Sequence, residues 1–147
     1  MIRVVTLDPY DDKQLAKFSR TLYTAFGVGS EHSGLVELPA GLGEPLDAEK
    51  ALEQIKGVRA YTDDKVLYLT SRKLKERELP SGTAPTQGFS RFGKDKAIIS
   101  SHGYKDLEVG YKAVSRQALH QLGHLWELQH CLDPRCSMYP PWTPSFA

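Results

Sequence analysis

The chain has 147 residues, 40% of them apolar and 25% charged, with 19 Lys+Arg against 18 Asp+Glu for a net charge of +1. That length suits one domain with its own core and is short for two. So even a charge balance gives no electrostatic case for nucleic acid or an anionic membrane, and no stretch approaches the ~18 apolar residues of a membrane span.

The opening residues, MIRVVTLDPYDD, turn acidic too early for a signal-peptide core, so a cytoplasmic address is expected. Within them IRVVTL predicts a first strand, bounded by DPYDD. Asp11 or Asp12 then caps a helix on which Leu15, Phe18, Leu22, Ala25 and Phe26 recur at helical spacing, with Gly27 as its stop. From Gly27 to Pro45 the glycines are many and no long period appears, which predicts loops and one short strand near Leu35–Leu38. Asp47 caps a second helix through Lys56, ended by Gly57.

KVLYLTS is apolar on both faces and predicts a strand internal to a sheet. KLKERELPSGTAPTQG reads as an exposed connection, FSRF as an edge strand and KAIISS as a further strand, with a loop over Gly103–Gly110. From Tyr111 to about Gln129 the helical period returns. Tyr111, Val114, Ala118, Leu122 and Leu125 form the core stripe, and Ala113, Gln117, His120, His124 and Glu127 lie on the other side. Proline keeps the closing MYPPWTPSFA out of regular structure. The expected architecture is a single α/β (α+β) domain over residues 1–147, with a mixed twisted sheet of about four to five strands.

The chemistry concentrates in residues 120–138, HQLGHLWELQHCLDPRCSM. Residues four apart on a helix are neighbours, their Cβ atoms about 5–6 Å apart, so His120 and His124 can aim ring nitrogens at one ion. On a continuous helix His130 would lie roughly 120° around from His124, so a third histidine ligand requires the chain to reverse between them. If the helix instead continues, His120, His124 and Glu127 share a face at i, i+4 and i+7 and make a His₂Glu set without His130. The only cysteines, Cys131 and Cys136, are too few for a secreted disulfide framework and are either inert thiols or soft metal ligands.

This stretch resembles the archaemetzincin motif HExxHxxGxxHCxxxxCxM, matching its three histidines, both cysteines and the methionine in type and spacing. The resemblance implies a metzincin-like fold in which the histidine helix is the active-site helix. It implies that His120, His124 and His130 ligate Zn²⁺ and that Met138 forms the Met-turn beneath the ion. Cys131 and Cys136 would supply half of a second, structural zinc site made of four thiolates. The implied partner is a peptide or protein, laid along an edge strand at Gln87–Phe92, and the relatives' reaction is hydrolysis of a peptide bond.

Three departures qualify that inheritance. Gln121 stands where the family has its catalytic glutamate. An amide can hydrogen-bond the attacking water but cannot take its proton, a loss worth about 10²–10⁴ in rate. Glu127 replaces the turn glycine, where a positive φ would cost a non-glycine residue about 1 kcal/mol or more. No CxxC follows Cys136 before Ala147, and two thiols do not close a tetrahedral zinc within one chain.

Elsewhere the plain readings hold. Tyr139 is assigned to packing rather than to a substrate oxyanion, His32 and His102 to solvent, and Trp126 and Trp142 to covering apolar surface. No oligomeric state is written in the sequence. Three functions fit: a zinc domain of peptidase descent with activity reduced or lost, a non-catalytic peptide-binding module with or without zinc, and a metal-free structural domain.

Overall fold

The computed structural model describes every residue except 57–60, 62, 81, 85 and 141–147. The expected helix stop at Gly57 and the placement of Trp142 therefore lie outside the described residues. The order is β1 (Ile2–Thr6), α1 (Asp12–Phe26), β2 (Ser30–Leu35), α2 (Ala48–Gln54), β3 (Lys65–Thr70), β4 (Arg77–Leu79), β5 (Gly82–Ala84), β6 (Gly88–Ser90), β7 (Lys96–Ser100) and α3 (Tyr111–Leu125). Five strands form one sheet in the order β2-β1-β3-β7-β6, and β4 pairs with β5 in a separate hairpin. β6 runs antiparallel to β7, while the other neighbours in the sheet are parallel.

β3 lies mid-sheet and is covered on both faces, as its unbroken apolar run requires. On one face Leu67 and Leu69 pack with Ile2, Val4, Ala97 and Ile99 against Leu15, Phe18 and Leu22 of α1 and Val114, Ala118, Leu122 and Leu125 of α3. On the other, Val66 and Tyr68 join Val5 and Ile98 against Ala51 and Leu52 of α2, with Leu46 and Leu74. Adjacent residues of a strand thus serve opposite layers. Of the two candidate caps, Asp11 accepts the amides of Lys13 and Gln14. Trp126 covers α1's end, its ring 4.8 Å from that of Phe26. No helix among the described residues is long and apolar enough to cross a membrane.

Four expectations are corrected. The short strand after α1 is Ser30–Leu35 rather than Leu35–Leu38. It is an edge strand of mostly exposed polar residues, so no apolar alternation marks it. α2 ends at Gln54, two residues short of Lys56. The charged connection after β3 contains the β4–β5 hairpin, and its Leu74 is buried and bridged to Leu46. α3 stops at Leu125, four residues before Gln129.

Candidate metal centre

α3 ends because the chain reverses. Glu127 has φ 66°, the left-handed conformation that the missing motif glycine would have adopted freely. Its N–H donates to the His124 carbonyl at 3.0 Å, and the N–H of Leu128 donates to the Gly123 carbonyl at 2.9 Å. Together these make a Schellman close, with Glu127 at the position glycine usually takes. The N–H of Gly93, in the turn after β6, donates to the His124 carbonyl as well, at 2.9 Å.

That reversal returns His130 to the face of α3 that carries His120 and His124. The ligand atoms of all three rings lie within 4.8 Å of one another, the only such group of three among the described residues. His124 Nε2 is 3.0 Å from His120 Nε2 and 3.2 Å from His130 Nε2. The His₂Glu alternative does not occur. The helix does not continue to Glu127, and the Glu127 carboxylate instead lies against the backbone at Gly93.

Backbone carbonyls fix two of the rings. His120 Nδ1 is 2.8 Å from the Ser137 carbonyl and His124 Nδ1 is 2.9 Å from that of Leu128. A carbonyl only accepts, so each Nδ1 carries the proton and each Nε2 presents a lone pair toward the other rings. Two lone pairs at that separation repel unless a proton or cation lies between them. Zinc bonds of 2.0–2.1 Å in tetrahedral array put ligand nitrogens about 3.3 Å apart, close to what these rings show. The donor set and its spacing fit the metal that the motif implies, and the carbonyls supply the orientation that ligand histidines need. Burial holds His120 neutral, its pKa pushed down to about 4 with help from the nearby His124, His130 and Arg116; the Ser137 carbonyl opposes that shift. His130 is lowered too, by burial and then by the fields of His124 and Arg77.

Gln121 faces the same cleft and is only 6% exposed. Ser90 on β6 donates its hydroxyl proton to Gln121 Oε1 at 2.7 Å. A Cβ at Gly88 would come 2.9 Å from Gln121 Cγ, so only glycine lets the edge strand approach this closely. The cleft holds about 620 Å³. His120 also lines a second cavity of about 310 Å³, together with Gln117, Tyr104 and Tyr139.

A Cβ on Gly123 would meet the Met138 sulfur at 2.5 Å, which puts that thioether directly against the residue preceding His124. Arg116 ties the intervening loop to α3 through the carbonyls of Pro134 (2.6 Å) and Cys136 (3.1 Å). Cys131 and Cys136 are partly buried free thiols. Each accepts a backbone N–H, from Asp133 and Met138 respectively. No third candidate ligand joins them among the described residues. His32 and His102 are both exposed, and His32 meets the Thr6 hydroxyl at 3.0 Å.

Sequence reasoning placed Gly88 and Ser90 on the peptide-bearing edge strand without giving either a role, and it missed Gly123, Arg77 and Arg116. Gly123 alone left a local signal, a small residue immediately before the second histidine. Arg77 reaches the site from an element that only folding brings near, and Arg116, although one turn before His120 on α3, has its partners in the carbonyls of the loop that returns after the reversal.

No family model matches the chain, and no curated protein does. Solved structures do. The archaemetzincin of Methanopyrus kandleri is 23% identical with TM-score 0.74, over 95% of this chain and 79% of that one. The archaemetzincin of Archaeoglobus fulgidus, solved with malonate, is 16% identical with TM-score 0.72, over 94% and 84%. A zinc-dependent peptidase of Methanocorpusculum labreanum is 20% identical with TM-score 0.73, over 96% and 88%. At these identities the likeness is one of fold: this chain has the archaemetzincin architecture, a mixed α/β domain with a five-stranded sheet.

Proposed function

We propose that this chain is an archaemetzincin-type zinc domain whose peptidase activity is reduced or lost, acting on or holding peptides in the cytoplasm. One observation carries the zinc reading: the Nε2 atoms of His120, His124 and His130 converge while backbone carbonyls occupy the opposite nitrogens of two of the rings. A zinc ion held there supplies Lewis acidity toward a peptide carbonyl. The chain's own residues do the rest. β6 offers its free edge to an extended peptide. Gly88 lets that edge lie close over Gln121. Gln121, steadied by Ser90, can hydrogen-bond a ligand oxygen but has no basic oxygen to carry a proton to a leaving amine.

The metal content of the purified chain at neutral pH tests the reading, with about one zinc per chain expected. Below about a tenth of an equivalent the zinc reading fails, since structural and catalytic histidine sites retain their metal under such conditions.

A second reading, a non-catalytic module that keeps the cleft to bind a peptide, is favoured by the amide at Gln121. Gln121→Glu separates the two. Cleavage of a peptide library by that variant supports descent from a working peptidase, and a zinc-loaded variant that cleaves nothing supports the binding module.

A further inference from the structure

The metal cleft and the cavity of about 310 Å³ adjoin, since His120 and Gln87 line both. Gln87 immediately precedes β6, the strand whose free edge would carry an extended peptide. The two spaces differ in charge. Asp47, Glu49, Glu76 and Glu78 line the cleft, whereas no Asp or Glu among the described residues lines the cavity. The cavity does have a cation, Arg116, on α3 one turn before His120.

A half-buried cation ordinarily has an anion beside it, because taking charge out of water is costly. The other half-buried arginines among the described residues obey this. Arg3 pairs with Asp64 at 2.8 Å and Arg72 with Glu44 at 2.7 Å. Arg116 has no carboxylate partner among the described residues. Its Nη2 donates to the carbonyls of Pro134 (2.6 Å) and Cys136 (3.1 Å), which fix the guanidinium without neutralising it. Its Nε and Nη1 protons take no partner among the described residues and stay available to an acceptor. A positioned cation with spare donors and no counter-charge suits an anion that arrives from outside the chain.

Resting on the reading that the cleft holds peptides, we infer that this cavity receives an acidic side chain of the bound peptide, an aspartate or glutamate whose carboxylate accepts from Arg116. Arg116 is then a specificity-determining residue. It selects an anionic side chain at one register of the peptide, while the carboxylates of the cleft disfavour one elsewhere.

The zinc-loaded full chain is titrated at pH 7 with fluorescein-labelled alanine heptapeptide amides, read by anisotropy. Each peptide carries a single glutamate, moved along its length, and a matching set carries glutamine instead. At one position glutamate is expected to bind about tenfold tighter than glutamine, the effect of one charge-assisted bond. Arg116→Gln should abolish that difference. Because Arg116 also ties down the loop before Met138, a second variant keeps it in place: Ala113, an exposed residue of the cavity wall, is replaced by glutamate. Ala113→Glu should weaken the glutamate peptide about tenfold and the glutamine peptide by less than about twofold, with zinc content unaltered. Equal affinity of the two sets at every position overturns the inference. So does a preference for glutamate that survives Ala113→Glu, whether or not Arg116→Gln folds. Displacement of the glutamate peptide by N-acetylglutamate amide at equal concentration overturns the assignment to a peptide side chain. A chain that binds both sets alike refutes this inference alone, whereas one that binds no peptide refutes the reading on which it rests.

Discussion

α1 and α3 close on the same backbone angle, φ 66°, at Gly27 in one and Glu127 in the other. At α1 a single bond runs from the Gly27 N–H to the Tyr23 carbonyl at 2.7 Å, and the space a Cβ would occupy is open. At α3 two bonds close the turn, and the ring of His124 bonds the Leu128 carbonyl as the chain leaves. The first reversal only redirects the chain toward β2. The second delivers His130 to the other two rings. A conformation that glycine adopts without strain is thus held at α3 by a residue that is strained in it, because the turn there is fixed by the bonds and rings around it.

Acid should separate the two ends most. The pKa of His120 lies at about 4 in the fold against an ordinary 6.5, so folding favours its neutral form. The sign follows: that stability is fully present above pH 6.5 and is lost as pH falls toward 4, on the order of 3 kcal/mol over the range. The residues that close α1, Tyr23 to Gly27, include no histidine or carboxylate. Thermal unfolding of the chelated chain, compared with a His120→Gln variant across pH 7 to 4, measures the difference. Parallel pH dependence in the two would rule His120 out as the cause.

The next contrast is steric. Tyr23 and Gly123 occupy equivalent positions four residues before the reversing residue, yet Tyr23 is 58% exposed while Gly123 lies under the Met138 sulfur. Gly123→Val is expected to cost about 2 kcal/mol through overpacking and to weaken zinc retention. Tyr23→Val should stay within about 0.5 kcal/mol. Denaturant midpoints decide the matter, and equal costs at the two sites would erase the distinction.

The finest contrast exchanges the closing residues themselves. Gly27→Ala should destabilise by about 1 kcal/mol, and Glu127→Gly should stabilise by a similar or smaller amount once glycine's extra freedom in the unfolded chain is counted. Opposite signs are the expected outcome of paired urea titrations. A Glu127→Gly variant less stable than the parent would show that the Glu127 side chain, lying against Gly93, contributes more than its backbone strain costs.

How much of this was legible follows the same physics. The helices and the strands β1, β3 and β7 bury continuous stripes or runs, and periodicity exposes such patterns directly. β2 exposes most of its residues, and Arg77, Glu78, Gly82 and Thr83 of the β4–β5 hairpin are exposed, so these residues carry no comparable mark. At the site, the histidine spacing pointed to three convergent rings because two lie on one helix turn and the third repeats a motif. The reversal at Glu127 was legible only as a requirement, since the residue that normally announces it is absent. The bond from Ser90 to Gln121 and the approach of Arg77 to the cleft could not be read at all. Each meets the cleft from an element remote in sequence, and proximity of that kind is created by the sheet.

The metal centre also differs from the sheet in how far along the chain its parts are gathered. Its ligands, the carbonyls that orient them and Met138 all fall between residues 120 and 138, the widest step being His120 to Ser137. The sheet instead requires Ile2 to find Lys65. Loop closure costs more as the span grows, and distant pairings form slowly. During refolding the histidine segment is therefore in a position to draw together ahead of the strands that later roof it. Pulse-labelled amide exchange would show this order as protection at Leu128 arising before protection at Val66.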